Sequence, residues 1–315
     1  MARWPQLLVV LLLLGATAAA FAMTERLKLE RSPVTGTRVD RVFSPVCECA
    51  RDVAVISIVL RRRETVTLDI LNRDGRSIRT VVRNRREAAG RVSYIWDGRD
   101  NLDRVVPEGV YRPRVQLERN GRTIVLPNPI RVDTTAPVIT LVRVFPRVFS
   151  PDSDGRRDRV TASYRINERA GAVMLVDGRQ RVQSKFRRLV GRLVWFGRVN
   201  GRVVRPGLYE VRLRAVDRAG NRSVRTRAVP VRVRFVELSR ERIEVGAGKR
   251  FSVRVRTDAV GYRWLFAGER GAGRREVLIL RAPDEPGSYT LYVTVGGHAA
   301  SAAVEVIESA ANEPE

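Results

Sequence analysis

Short stretches of alternating apolar and polar residues recur along most of the chain. Residues 65–71 read T-V-T-L-D-I-L and residues 77–82 read S-I-R-T-V-V, with Asn72-Arg73-Asp74-Gly75 between them. Alternation at a period of two predicts strands, and a short Asn/Asp/Gly turn between two such stretches predicts a hairpin. The same arrangement recurs at residues 172–176 and 181–186, around Asp177-Gly178.

Further alternating stretches follow in the second half of the chain. Residues 208–216 and 225–235 are rich in valine, residues 243–257 predict two strands around Gly246-Ala247-Gly248, and residues 293–307 predict a closing hairpin. No stretch after residue 32 has the 3.6-residue period of an amphipathic helix. Short strands joined by Gly, Pro and Asp turns predict an all-β protein built from β-sandwiches.

The chain also contains a tandem repeat. The segment from Trp96 to Tyr111 recurs from Trp195 to Tyr209, with Trp, Gly-Arg, Val-Val, Gly and Tyr in the same order. A Phe-Ser-Pro motif precedes each of these segments by about fifty residues, at Phe43 and at Phe149, and marks the start of each repeat. A period of about one hundred residues is that of a whole domain rather than of a solenoid unit.

The motifs F-S-P, L-N-R-D-G-R, W-D-G-R-D and V-P-E-G-V-Y resemble those of the FlgD-like immunoglobulin domain, named after the flagellar hook-capping protein. The likeness covers residues 40–132 and, again, about 145–236. It implies immunoglobulin-like sandwiches that present or space other elements without catalysis. A flagellar role is disfavoured, because a hook-capping protein carries no signal peptide whereas this chain begins with an apolar segment.

That segment, residues 1–31, is interpreted as a signal peptide or a signal anchor. Residues 7–14 are uninterruptedly apolar, and Ala20-Phe21-Ala22 offers the small residues that a signal peptidase reads. Cleavage after Ala22 would release the protein, whereas an uncleaved segment would tether it to the membrane through residues 7–23. The two alternatives remain open, and both predict an exported protein with extracytoplasmic domains.

The fold class predicted is therefore a series of tandem immunoglobulin-like β-sandwiches after an N-terminal hydrophobic helix. The modules are assigned to residues 40–132, 138–238 and 239–308, followed by a disordered tail at residues 309–315. In the third module, Trp264 is a candidate for a central core residue. Tyr289 resembles the tyrosine corner of immunoglobulin-like folds.

Candidate catalytic residues are absent from the sequence. The only histidine, His298, lies in a predicted turn, and no nucleotide-binding, zinc-protease or serine-hydrolase motif occurs. Asp97 and Asp100 have no acidic counterparts in the second copy, which indicates turn residues. The chain is therefore predicted not to be an enzyme, with no cofactor other than calcium.

The calcium prediction rests on the loop after the second Phe-Ser-Pro motif. Asp152, Asp154 and Asp158 form D-x-D-G-x-x-D, which places three hard oxygen ligands on one tight turn. A simple turn without a cation is the alternative. The corresponding loop in the first copy carries Cys47 and Cys49, for which a local disulfide is predicted in an oxidising compartment.

The charge of the chain adds one candidate binding surface. The net charge is +25, and only three of the 59 basic residues are lysines, as a high-GC coding bias would produce. Residues 138–238 nevertheless carry 24 basic and 8 acidic residues, whereas residues 239–315 carry 11 of each. Four arginines alternate with core residues in two predicted strands of this repeat: Arg212, Arg214, Arg232 and Arg234.

Alternation places these arginines on one face of the sheet. Guanidinium groups pair bidentately with carboxylate and phosphate, so anionic cell-wall polymers or lipid headgroups are the predicted partners. Nucleic acid is not expected, and coding bias on a solvated face is the alternative explanation. The predicted function is that of a non-catalytic, exported binding or spacer scaffold. An accessory subunit or appendage of an extracellular hydrolase is the alternative.

Overall fold

The computed structural model describes residues 4–29, 32–119, 121–185 and 187–308. It confirms an all-β protein preceded by a single helix, α1 (Trp4–Leu29). The chain divides into two compact units, residues 1–134 and residues 135–315. The tail predicted to be disordered, residues 309–315, lies outside the described residues, as do residues 1–3 and 30–31 of the predicted signal segment.

Helix α1 contains the apolar run of the N-terminal segment, and its described side chains, from Val9 to Phe21, are exposed. In the part of the chain that the structure describes, no helix has both the length and the apolar character needed to cross a membrane.

The first unit contains nine strands in two sheets. One sheet has the order β1-β3-β6, and the other has the order β2-β9-β7-β4-β5, with β8 added beside β7. The strands are β1 (Val34–Val39), β2 (Val42–Phe43), β3 (Ala54–Leu60), β4 (Glu64–Leu71), β5 (Ser77–Glu87), β6 (Gly90–Trp96), β7 (Gly109–Leu117), β8 (Arg122–Val125) and β9 (Ile130–Val132).

The alternating pattern of the sequence explains the core of this unit. In β7, for example, Tyr111, Val115 and Leu117 are buried, whereas Arg112 is exposed and Arg114 is half-buried. Side chains from both sheets form one hydrophobic cluster, as a sandwich of two half-buried antiparallel sheets requires.

The second repeat, at the start of the second unit, builds a related sandwich in which one long strand belongs to both sheets. Its strands are β10 (Ile139–Phe145), β11 (Val148–Phe149), β12 (Val160–Val176), β13 (Arg179–Gln183), β14 (Arg188–Trp195), β15 (Arg198–Val199), β16 (Arg202–Val203), β17 (Gly207–Val216) and β18 (Val229–Val233). Strand β12 pairs with β10 and β14 over its first half and with β17 and β13 over its second half.

Strand β12 corrects the prediction of a separate strand at residues 172–176. In the first unit the chain turns at residues 61–63, between β3 and β4. In the second unit, β12 has a register shift of the kind that a β-bulge produces between Arg165 and Ala170. A bulge bends a strand without ending it, so one strand continues from the first sheet into the second. The strand predicted at residues 225–235 is also shorter, because the hydroxyl of Thr226 accepts a hydrogen bond from the backbone N–H of Leu213 (2.9 Å) before β18 begins.

The remaining strands of the second unit surround a separate core. One sheet has the order β19-β21-β24 and the other β20-β26-β25-β22-β23. They are β19 (Glu237–Leu238), β20 (Arg242–Gly246), β21 (Arg250–Arg256), β22 (Tyr262–Phe266), β23 (Glu269–Gly273), β24 (Val277–Arg281), β25 (Gly287–Val295) and β26 (His298–Ile307). The predicted boundary near residue 238 lies inside this unit, between its two cores.

The predicted strands at residues 243–257 exist, but they do not form a hairpin. Strand β20 pairs in parallel with β26, whereas β21 pairs with β24 in the other sheet. The turn at Gly246-Ala247-Gly248 therefore carries the chain from one sheet to the other. The closing hairpin does form, from β25 and β26.

Each repeat is centred on an aromatic triad. In the first, the ring of Trp96 lies edge-to-face between those of Phe43 and Tyr111, with centroids 5.4 and 5.3 Å away. In the second, Phe149, Trp195 and Tyr209 repeat this geometry at 5.6 and 5.7 Å. Edge-to-face packing adds to the hydrophobic gain of burying large rings, so the repeated Phe, Trp and Tyr of the sequence fix the same core twice.

Tyrosine corners close the sandwiches. The hydroxyl of Tyr289 donates a hydrogen bond to the carbonyl oxygen of Glu285 (3.0 Å), which is the contact expected of the corner. Tyr111 and Tyr209 donate in the same way to the carbonyl oxygens of Pro107 (2.7 Å) and Arg205 (2.8 Å).

Candidate functional site

The four arginines predicted to bind anions lie on or next to the outer side of the β17–β18 sheet. Val211 and Leu213 of β17 point into the core, so Arg212 and Arg214 lie on the opposite side. Arg232 of β18 pairs with Leu208 of β17 and is exposed on the same side. We call Arg212, Arg214 and Arg232 the arginine face. Arg234 follows the last residue of β18.

Acidic neighbours partly neutralise this surface. Arg212 forms an ion pair with Glu210 at 3.2 Å, and Arg234 forms one with Glu237 at 3.3 Å. Both pairs are partly exposed, and such pairs contribute little to stability. They also leave guanidinium N–H groups that are not used by the carboxylate.

Arg214 has a different environment, which the sequence analysis missed. Burial lowers the pKa of its guanidinium group, and the positive charges of Arg222 and Arg225 lower it further. Its Nε atom is buried and, among the described residues, has no hydrogen-bond partner. Residues 222–226 run beside β17, because Arg222 bridges to Val216 and the backbone N–H of Thr226 donates to the carbonyl oxygen of Leu213 (2.9 Å). This brings the positive charges of Arg222 and Arg225 to Arg214, an electrostatic environment that favours a bound anion.

A buried turn positions two of these arginines. The carboxylate of Asp217 accepts hydrogen bonds from the backbone N–H groups of Gly220 (2.7 Å) and Asn221 (2.9 Å), which fixes the turn that leads to Arg222. Nothing in the spacing of the sequence indicates that Arg222 and Arg225 fold back beside Arg214. The contact depends on how this turn packs on β17.

The aspartate loop places the predicted calcium ligands close together. One carboxylate oxygen from each of Asp152, Asp154 and Asp158 lies within 4.8 Å of the others. The loop is also held by its own hydrogen bonds. Asp158 accepts them from the backbone N–H groups of Ser153 (2.6 Å) and Gly155 (2.8 Å). Each carboxylate oxygen retains a second lone pair, so the geometry is compatible with a hard cation such as Ca²⁺.

A fourth carboxylate, which the sequence analysis also missed, lies next to this loop. Asp258 follows β21 and accepts a hydrogen bond from the hydroxyl of Ser150. Burial, the negative charge of Asp154 and then that of Asp258 raise the pKa of Asp152 to about 6. Burial chiefly raises the pKa of Asp258 as well. No local motif marks Asp258, since it comes from a strand about a hundred residues further along the chain.

Two other candidate residues have defined surroundings. Cys47 and Cys49 are joined by a disulfide, with their Cα atoms 5.3 Å apart, and the intervening Glu48 has a positive φ of 47°. His298 is not in an exposed turn as predicted but begins β26, where its ring stacks on that of Phe235 with 3.5 Å between centroids. Burial lowers the pKa of His298. This packing explains why the residue is half-buried.

Comparison with known families confirms the resemblance found in the sequence. Residues 54–121 match the FlgD Ig-like domain family, which covers β3 to β7 and the Trp96 motif. No curated protein matches the chain.

Several solved structures show a distant likeness. The fibronectin(III)-like modules of Clostridium thermocellum CbhA are 15% identical and cover 63% of this chain and 93% of their own, with a TM-score of 0.36. SGBP-B of the Bacteroides ovatus mixed-linkage glucan utilization locus, solved in complex with a mixed-linkage heptasaccharide, is 17% identical. It covers 87% of this chain and 71% of its own, with a TM-score of 0.23. A bacterial ice-binding adhesin is 12% identical and covers 89% of this chain and 98% of its own, with a TM-score of 0.26. Scores this low say nothing about what this chain binds.

Proposed function

We propose that the chain is a non-catalytic, exported scaffold of immunoglobulin-like modules that binds anionic components of the cell envelope through its second repeat. The observation that carries the proposal is the run of residues 222–226 beside β17, which brings the charges of Arg222 and Arg225 to Arg214 on the arginine face. Such a cluster costs electrostatic energy in the free protein, and an anion that pairs with two guanidinium groups relieves this cost.

The experiment compares two full-chain variants that lose the same number of charges. In the first, Arg212, Arg214, Arg232 and Arg234 are changed to Ser. In the second, four exposed arginines around the third core are changed to Ser, namely Arg250, Arg256, Arg263 and Arg270. Circular dichroism checks that both remain folded. Binding is measured to purified anionic wall polymer and to anionic lipid vesicles, at low and high salt.

We expect the first variant to bind at least about tenfold more weakly than the wild type, a change of about 1.4 kcal/mol. The second variant should bind as the wild type does. Binding should also weaken steeply with salt, because exposed charges are screened. Equal losses in both variants would show that the net charge of the chain, rather than the arginine face, determines binding.

Export and attachment are a separate part of the proposal. The apolar run of residues 7–14 and the Cys47–Cys49 disulfide both support a location outside the cytoplasm. Cell fractionation tests this part, with mass spectrometry of the N-terminus. Extraction that requires detergent, with Met1 still present, supports attachment through residues 7–23. A protein in the medium that starts at Met23 supports secretion after cleavage, and a protein confined to the cytoplasm contradicts export.

A further inference from the structure

A concave groove lies on the sheet of the second repeat that does not carry the arginine face. It has a volume of about 710 Å³ and opens over β10, the first half of β12, and β14. Thr161 and Ser163 are among the residues that line it. The lining also contains four arginines and three non-polar residues: Arg143, Arg157, Arg159, Arg192, Phe145, Pro146 and Phe196. We call it the Arg–Phe groove.

Two arginine–phenylalanine pairs define the groove. The guanidinium carbon of Arg143 lies 4.6 Å from the ring centroid of Phe145, and that of Arg159 lies 5.9 Å from the ring centroid of Phe196. The two rings are 56% and 50% exposed, far more than side chains of this size in the core. A guanidinium that rests on an aromatic ring is held in orientation while its N–H groups remain available to a ligand.

The arginines of the groove are not used in ion pairs. Among the described residues, no salt bridge involves Arg143, Arg157, Arg159 or Arg192, and all four are exposed. The acidic residue in the lining is Asp158, whose carboxylate accepts hydrogen bonds from its own loop. The groove therefore has a net positive charge and exposed apolar surface together.

The first repeat lacks this combination at equivalent positions. Val39 pairs with Ile56 as Val144 pairs with Ala162, so Asp40 corresponds to Phe145. Trp96 pairs with Ala54 as Trp195 pairs with Val160, so Asp97 corresponds to Phe196.

The same registers show that Arg143 has an arginine counterpart, Arg38, whereas two other arginines of the groove replace uncharged residues. Val53 corresponds to Arg159, and Ser93 corresponds to Arg192. Coding bias towards arginine does not explain the two exchanges of aspartate for phenylalanine. In the second repeat, two of the four differences replace a negative charge by an aromatic ring, and the other two add a positive charge. All four lie in the same groove.

We infer that the Arg–Phe groove binds an acidic polysaccharide, a glycan whose repeating sugars carry carboxylate groups. This inference rests on the proposed function and names a second site and the class of ligand. Carboxylates would pair with the guanidinium groups of Arg143 and Arg159, and apolar sugar faces would contact Phe145 and Phe196. Aromatic and other apolar side chains line ligand sites of this kind, with a few polar groups that set orientation.

The polar groups in the groove favour a glycan over a more densely charged polymer. Thr161 and Ser163 offer hydroxyls, which can donate to or accept from the hydroxyl groups of a sugar. Asp158 offers only acceptor atoms, so it suits a sugar hydroxyl, which can donate to it. Polyphosphate and the phosphate backbone of DNA have no such donor and present only negatively charged acceptors, which the carboxylate repels.

The test uses the full chain and variants that carry the residues of the first repeat. The groove variant combines Phe145→Asp, Arg159→Val, Arg192→Ser and Phe196→Asp. A second variant, Phe145→Leu with Phe196→Leu, keeps every charge. The arginine-face variant, in which Arg212, Arg214, Arg232 and Arg234 are changed to Ser, is the matched control. Probes are oligogalacturonate, inorganic polyphosphate, single-stranded DNA and neutral dextran, all with EDTA so that cations at the aspartate loop do not contribute.

The wild type should bind oligogalacturonate at least about tenfold more tightly than polyphosphate or DNA of equal charge, and should not bind dextran. The groove variant should lose at least about tenfold in oligogalacturonate affinity, and the Phe→Leu variant should lose several-fold, whereas the arginine-face variant keeps binding. Equal affinity for the groove variant and the wild type overturns the inference. Tighter binding of polyphosphate or DNA also overturns it, because the groove would then be a site for dense anions.

The two proposals fail in different ways. If the arginine-face variant loses wall-polymer binding and the groove variant does not lose oligogalacturonate, the proposed function holds and the groove inference fails. If the groove variant loses binding to both oligogalacturonate and wall polymer, and the arginine-face variant keeps both, the groove inference holds and the arginine face is not the site.

Discussion

Ser150 donates its hydroxyl hydrogen bond to the carboxylate of Asp258, which connects the Phe-Ser-Pro motif of the second repeat to the strands around the third core. The other carboxylate oxygen of Asp258, Oδ2, is buried and has no hydrogen-bond partner among the described residues. Gly296, in the turn between β25 and β26, lies against Asp152 of the same loop. The second unit therefore contains a cluster of carboxylates in which burial and mutual repulsion both raise the pKa values of Asp152 and Asp258.

The stability of this unit should depend on the protonation of Asp152. The pKa of Asp152 is raised to about 6, so the folded state binds this proton more tightly than the unfolded state. Its contribution to stability is present below about pH 4 and is lost as the pH rises through about 6. We expect the wild type to lose more stability than Asp152→Asn between pH 4 and pH 7, as measured by urea unfolding.

The wild type has to be compared with Asp152→Asn because His298 changes the pH dependence of stability in the opposite direction. Burial lowers the pKa of His298, so its contribution is lost as the pH falls through its unfolded value of about 6.5. Both proteins contain His298, and its effect cancels in the difference between them. Parallel curves for wild type and Asp152→Asn would show that Asp152 has no raised pKa.

Calcium should stabilise the same unit through the aspartate loop. Extracellular calcium modules bind with a Kd of about 0.1–1 mM, so about 5 mM Ca²⁺ should add about 1–2 kcal/mol to the free energy of unfolding. Asp154→Ala removes one of the three clustered carboxylates and should abolish this gain. Asp52→Ala, at the position of the first repeat that corresponds to Asp158, is the control and should leave the gain intact. If calcium leaves the unfolding of the wild type unchanged, the loop is a simple turn.

The sequence predicted those features whose residues are close together in the chain. The hairpins and the three aspartates of one loop follow from local patterns, because alternation and turn chemistry act over a few residues. Strand β12 was predicted less well, because the sequence does not show whether the chain turns between the two sheets, as it does at residues 61–63, or continues as one strand.

Contacts between distant residues could not be predicted from the sequence. Asp258 meets Ser150, and Arg222 and Arg225 meet Arg214, only after the sheets have formed. Phe145 and Phe196 are apolar residues that a period-two pattern would place in a core or on a surface with equal ease. Their exposure depends on the registers of β10 and β14 against β12.

A glycine in the Trp96 motif should be required for steric reasons. Gly98 has a φ of +73°, and a Cβ atom at this position would lie 2.8 Å from the side chain of Pro45. Gly75 has a similar φ of +78° but open space around it. Gly75→Ala should cost about 1 kcal/mol, from the positive φ alone. Gly98→Ala should cost about 1–3 kcal/mol more, because the new methyl group overpacks the core.

Chemical unfolding of both variants in urea measures this difference. Because both positions have a positive φ, the cost of the backbone conformation is common to the two variants. The additional loss of stability in Gly98→Ala therefore measures the contact with Pro45. Gly197 in the second repeat stands against Pro151 in the same way, at 2.6 Å, and Gly197→Ala should reproduce the larger loss. Equal losses for Gly98→Ala and Gly75→Ala would show that the loop moves away from Pro45 at little cost.

The tyrosine corner of the third core should contribute about 1 kcal/mol to stability, the typical net contribution of one hydrogen bond. Tyr289→Phe removes only the hydroxyl that donates to Glu285 and leaves the ring beside that of Phe266, with 6.2 Å between centroids. Tyr292→Phe is the matched control, since Tyr292 lies on the same strand, is 45% exposed and can donate to water instead. Urea unfolding should show a loss for Tyr289→Phe and none for Tyr292→Phe. A loss in neither variant would mean that water replaces the hydroxyl at the carbonyl oxygen of Glu285. The corner would then be a consequence of the fold rather than a cause of its stability.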